Sequence, residues 1–183
     1  MIIFKRSISI LFILGLLMNT SYAQDGGSTI ISKKEVEVVF EQGLENLSDG
    51  GSISDIVVRH IDAGEEFVGV SVVQRVKTEV PDVYTGIAHG DLDETYYIVS
   101  GEGTMVTGGE FVDVQHSVSG LLGPMQRGEI KGGVLQKVKA GDIAIIPKGM
   151  PHGWHEIVTD NIGYIIFRGD PNKVMEEKYV HPH

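Results

Sequence analysis

Apolar residues in this chain recur first at helical spacing and then, over most of its length, at every second position. Ser32-Lys-Lys-Glu35 has the spacing of a capping box, and Val36, Phe40, Leu44 and Leu47 follow on one helical face. This predicts a short helix ending near Ser48-Asp-Gly-Gly51, where glycines can terminate it. Val38 and Val39 would also suit an alternating strand, but the cap favours the helix. The pattern then shifts to period two. Strands are predicted over Ile53–Ile61 and Phe67–Val76, the latter with Val68, Val70, Val72, Gln74 and Val76 on one face. Tyr84–His89, Glu94–Ser100, Thr104–Thr107, Leu135–Lys139, Ile143–Ile146, Gly153–Val158 and Gly163–Arg168 complete the set. Many short strands separated by glycine turns predict an all-β sandwich or barrel. Glu110–Gly133 has little periodicity and several glycines, and reads as an excursion over one mouth of the barrel.

Composition changes the picture at the N-terminus. Lys5 and Arg6 precede an apolar run, Ser7–Leu17, and Ser21-Tyr-Ala23 offers small residues before a cleavage after Ala23. The run is shorter than the ~20 apolar residues of a membrane span, so a signal peptide is expected, with no stable membrane insertion after its removal. The chain then divides into residues 1–23 as signal, 24–52 as lead-in and helix, 53–170 as one barrel, and 171–183 as tail. There is no cysteine, so neither a lipidated anchor nor a disulfide can form. Losing Lys5 and Arg6 from 15 basic residues, against 25 acidic ones, moves the net charge from −10 to −12. That balance disfavours nucleic acid and anionic membrane surfaces as partners. An acidic protein of the periplasm or the medium is the expectation.

Two stretches hold candidate chemistry. In Gly141-Asp-Ile-Ala-Ile-Ile-Pro147-Lys-Gly149-Met-Pro-His152, an alternating strand meets a Pro-x-Gly turn, and His152 follows at the start of the next strand. Alone, it admits two readings: a hairpin whose histidine ends a strand, or a metal ligand aimed into a barrel. In the second stretch His89 ends one strand and Glu94 opens the next, where Glu94, Tyr96 and Ile98 share a face. If Ile98 packs into the core, Glu94 points inward with it. A carboxylate there needs a partner or a cation, and His89 and His152 are available.

These two stretches make the chain resemble the cupins, small jelly-roll β-barrels. The second cupin motif, Gly-x5-Pro-x-Gly-x2-His-x3-Asn, is matched at Gly141, Pro147, Gly149 and His152, with Glu156 at the closing Asn position. The first motif is matched by His89, Glu94 and Gly101, while Ile87 occupies its other histidine position and its opening glycine is unmatched. The resemblance spans about Ile53 to Arg168 and implies an all-β, single cupin-type barrel with a short N-terminal helix. It also implies metal ligands at His89, Glu94 and His152, a set suited to Fe, Mn, Zn or Ni, although cupins without metal exist. Asp91 or Asp93 is a further oxygen candidate.

Tyr96 is the candidate proton donor, and Tyr96, Ile98 and Trp154 are the candidate pocket wall; a core or rim aromatic is the plainer reading of Tyr96. Tyr97 is expected on the outside, and His155, His60 and His116 on the surface. His181-Pro-His183 is a tail pair that could chelate adventitious metal. Gly101-Glu-Gly103 is no dinucleotide fingerprint, because Val106 replaces the third glycine. Asn46-Leu-Ser48 is a glycosylation sequon only in a host that uses it, and no Gly-x-Ser-x-Gly elbow supports serine hydrolysis. Two functions follow from the resemblance: a metal-dependent isomerase, lyase or dioxygenase acting on a small molecule, or a non-catalytic module binding a carbohydrate or similar ligand; a structural or partner-binding barrel, its pocket filled by side chains, is a third. A homodimer is implied in either case.

Overall fold

The computed structural model describes residues 28–175; residues 1–23, expected as a signal peptide, and His181-Pro-His183 lie outside the described residues. Helix α1 (Lys33–Ser48) begins with the complete capping box: Glu35 N–H donates to Ser32 Oγ at 3.2 Å, and Ser32 N–H to a Glu35 carboxylate oxygen at 2.8 Å. Such a cap stabilises a helix start by about 1 kcal/mol. The buried stripe is rotated from the one read in sequence. Val39 and Gly43 are buried, whereas Leu44 is 42% exposed. Gly43 explains the rotation, because a Cβ there would stand 2.9 Å from Gln74 Cγ. The helix therefore lies close against the sheet over Val58 and Val72.

The strands in chain order are β1 (Ile53–Asp62), β2 (Phe67–Thr78), β3 (Thr85–His89), β4 (Asp93–Ser100) and β5 (Glu102–Thr107). They continue with β6 (Glu110–Ser119), β7 (Gly123–Lys131), β8 (Val134–Lys139), β9 (Ile143–Ile146) and β10 (His152–Asp170). All pairings are antiparallel, and β10 belongs to two walls. Its C-terminal half lies between β2 and β4, giving the order β1-β2-β10-β4-β9. Its N-terminal half lies between β3 and β5, giving β6-β7-β3-β10-β5-β8. Two walls sharing one long strand make a jelly-roll barrel, as the sequence predicts.

Two expectations are corrected. Glu110–Gly133 is not a loose excursion but the β6–β7 hairpin, which joins the barrel through β7 and β3. Its periodicity is faint because β6 is exposed almost throughout, so no core demands alternation; a bulge between Val112 and Gln115 puts Asp113 at φ 55°. The segments Gly153–Val158 and Gly163–Arg168 form one strand, β10. The polar Thr159-Asp-Asn161 between them marks a register shift where the strand changes walls, with Thr159 Oγ1 donating to Asn161 O at 2.7 Å.

The barrel interior is lined by Val73, Tyr96, Ile98, Met105, Ile146, Ile157, Ile162, Tyr164 and Ile166, with Trp154 and Met150 packed against them. At one end, Phe67, Leu92 and Met175 form a second apolar cluster with Leu122 and Val174. Asp170 holds the segment after β10 there, accepting from the backbone N–H groups of Val174 and Met175 at 2.9 and 2.8 Å.

Candidate metal centre

The turn before β10 places His152. Gly149 has φ +77°, the left-handed conformation a Cβ resists. Its N–H donates to His89 O at 2.7 Å, and Lys148 N–H donates to Asp93 Oδ1 at 2.9 Å. The turn that delivers His152 is thus bonded to the segment that bears His89 and Glu94. Asp93 is spent on this turn and Asp91 accepts from Asn172, so neither joins the ligand cluster. Gly86 brings β3 against β10, since a Cβ there would lie 2.4 Å from His152 O.

His89, Glu94 and His152 converge, as the resemblance implies. Their ligand atoms all lie within 4.8 Å of one another, and the residues are 3%, 1% and 3% exposed. Glu94 Oε2 stands 3.6 Å from His89 Nε2 and 3.4 Å from His152 Nε2. His152 Nδ1 lies 3.0 Å from Met150 O. Donating a proton there leaves the Nε2 lone pair free, and that buried atom makes no hydrogen bond. Burial drives the His89 pKa down to about 4, against the opposing pull of Glu94, so its imidazole is neutral at pH 7. Two imidazole nitrogens and one carboxylate oxygen, with His152 Nε2 buried and otherwise unsatisfied, fit a divalent transition metal.

The carboxylate is held by a residue the sequence reading missed. Arg168 Nε donates to Glu94 Oε1 at 2.8 Å, Nη1 to Ser71 Oγ at 2.7 Å, and Nη2 to Asp55 Oδ2 at 2.7 Å. Burial opposes ionisation of Glu94, but Arg168 and the two histidines outweigh it and hold its carboxyl well below the usual range. Burial likewise opposes the Arg168 charge, and Asp55 and Glu94 outweigh it. Tyr96 Oη donates to Glu94 Oε2 at 2.9 Å, and burial together with that carboxylate pushes the phenol pKa well up, so it keeps its proton.

The remaining candidates are placed as follows. Ile98 is fully buried in the interior cluster, and half-buried Trp154 leans on Tyr164 with ring centroids 5.8 Å apart. Tyr164 stacks on Tyr96 at 4.9 Å. Tyr97 faces out, and His116 is exposed. His155 and His60 are half-buried rather than on the open surface, each edge-on to an aromatic ring, Tyr84 at 4.9 Å and Phe67 at 4.8 Å respectively. Glu156 accepts from Thr104 Oγ1 at 3.1 Å. Ile87 is paired directly opposite His152, so their side chains share a side of the sheet.

No protein-family model matches the sequence, and no curated protein matches it either. Among solved structures, the chain is similar to a conserved protein with a double-stranded β-helix domain from Klebsiella pneumoniae, at 18% identity and TM-score 0.49, covering 85% of this chain and 97% of that one. It is similar to KdgF from Halomonas sp. at 15% identity and TM-score 0.41, covering 67% and 81% of the two chains. It is also similar to HppE, solved with Co(II) and substrate, at 14% identity and TM-score 0.43, over 63% of this chain and about half, 51%, of that one. The fold is a jelly-roll of the cupin type, and its strand order and register establish it without these likenesses.

Proposed function

We propose that this chain is an exported metal-dependent enzyme, acting on a small organic molecule, with iron, manganese, zinc or nickel held by His89, Glu94 and His152. The supporting observation is the convergence of three ligand atoms within 4.8 Å, with His152 Nε2 buried and making no hydrogen bond. A bound ion there would polarise a substrate oxygen. Tyr96 holds its proton at Oη beside Glu94 Oε2 and is positioned to give or share it, while Trp154 and Ile98 shape the wall. Titration calorimetry of chelator-stripped protein tests the reading. Binding of one of these ions at about 10 µM or tighter, lost in His152→Ala, supports it; no binding by any of the four ends it.

A second reading, a module that binds a carbohydrate or similar ligand without catalysis, is favoured by Ile87 at a ligand position and by near-complete burial of the three ligands. It predicts sugar binding that is indifferent to metal. Export rests on Lys5, Arg6 and the apolar run to Leu17. N-terminal sequencing of the cell-envelope or secreted protein should begin at Gln24, and a Met1 start contradicts export. A homodimer is supported by a neighbouring set of uncharged outward residues, Tyr97, Ile143, Ile145 and Phe167, which are 41%, 63%, 74% and 46% exposed. Sedimentation at the mass of one chain contradicts it.

A further inference from the structure

Glu94 has two oxygens, and the barrel treats them differently. Oε1 accepts from Arg168 Nε at 2.8 Å, while Oε2 faces His89 Nε2, His152 Nε2 and the Tyr96 hydroxyl. Arg168 cannot pivot about that bond. Its guanidinium is rigid and planar, and the other two nitrogens are fixed on Asp55 and on Ser71, at the far side from Glu94. Asp55 and Ser71 stand on β1 and β2, next to each other across the strand pair through Val57 and Val73. Three strands therefore aim one N–H at one carboxylate oxygen. A lysine at this position would neutralise Glu94 equally well without fixing which oxygen is engaged.

We infer that Arg168 is a positioning residue of the metal centre, engaging Glu94 Oε1 so that Oε2 alone is offered to the cation. The inference rests on the metal reading above and extends it to how the ion is held. Glu94 would then serve as a one-oxygen ligand, and the two histidines and Glu94 would hold the ion through three atoms. Released from Arg168, the carboxylate is free to offer both oxygens and fill one more position.

The test is a titration with Co(II), followed by visible absorption and by X-ray absorption at the cobalt edge, on the wild type, Arg168→Lys and Arg168→Met. Wild-type protein should bind one Co(II) with a single-oxygen carboxylate contact. Both variants should bind it roughly 10–100-fold more weakly, with weaker visible bands and an added cobalt–oxygen contact. Arg168→Met leaves Asp55 and Glu94 without their cation and risks misfolding, so Arg168→Lys, with the charge kept, is the deciding variant. Asp55→Asn, at a partly exposed side chain, removes the far anchor only and should shift the same signals in the same direction by less. A wild-type Co(II) spectrum and affinity in Arg168→Lys overturn the inference and leave the metal reading standing. Failure of the wild type to bind Co(II) overturns the inference, and failure to bind iron, manganese, zinc and nickel as well overturns the metal reading with it.

Discussion

Arg168 and Glu94 stand opposite each other on neighbouring strands, and the arginine Nε donates to the carboxylate at 2.8 Å inside the barrel. Both residues are almost wholly buried. A buried pair is costly to break from one side, because the survivor keeps its charge without its partner. Here Asp55 still satisfies Arg168, which limits the loss. Glu94→Gln should therefore cost about 2 kcal/mol, and Glu94→Ala about 3–5 kcal/mol. Urea denaturation of the metal-free protein reads both; no change in midpoint for either variant contradicts the assignment.

Ile87 lies where a fourth ligand would stand. It is opposite His152 and two residues before His89 on the same strand face. Ile87→His should tighten binding of Zn or Ni by 10-fold or more, on the order of 1.4 kcal/mol. Competition with a coloured chelator measures it. Unchanged affinity in a folded variant places residue 87 outside the centre.

His89 gives the metal-free protein a defined acid sensitivity. Its pKa is lowered from 6.5 to about 4 in the folded state, so between these values the unfolded chain binds more protons. The stability it contributes is complete above pH 6.5 and is lost as the pH falls through 4. That loss is about 3 kcal/mol. Glu94, also lowered, adds a further loss at more acidic pH. Urea midpoints from pH 7 to pH 4 follow the trend, and His89→Gln should flatten the portion above pH 4. An equally steep fall in that variant assigns the sensitivity elsewhere.

The approach of β3 to β10 depends on a residue without a side chain. Gly86→Ala sets a Cβ 2.4 Å from His152 O and 2.5 Å from Ile130 Cδ1. The overpacking should cost about 1–3 kcal/mol and displace His152, weakening metal binding along with stability. Gly90→Ala, with open space around it, is the control and should leave both unchanged.

The convergence of His89, Glu94 and His152 was legible because the segments that carry them are fixed by neighbours close in sequence. The Pro147–Gly149 turn aims His152, and alternation from Ile98 aims Glu94. Arg168 was not legible, since its partners Glu94 and Asp55 lie 74 and 113 residues away. A signal was present, however. Arg168 continues the inward face of Tyr164 and Ile166, so the reasoning that demanded a partner for Glu94 demanded one for Arg168 too. It was masked because Ile165 and Phe167 make the opposite face apolar as well, leaving the inward side undecided from sequence. The β6–β7 hairpin was hidden for the opposite reason: backbone bonds hold it, with little burial to impress a period on its residues.

The central claim is that one metal ion sits among His89, Glu94 and His152. Anomalous diffraction at the absorption edge of the metal found in the purified protein locates it directly. The account predicts a single strong peak between His89 Nε2, Glu94 Oε2 and His152 Nε2, lost in His152→Ala crystals. A folded wild-type protein soaked in that metal, with no peak among these three residues, contradicts it.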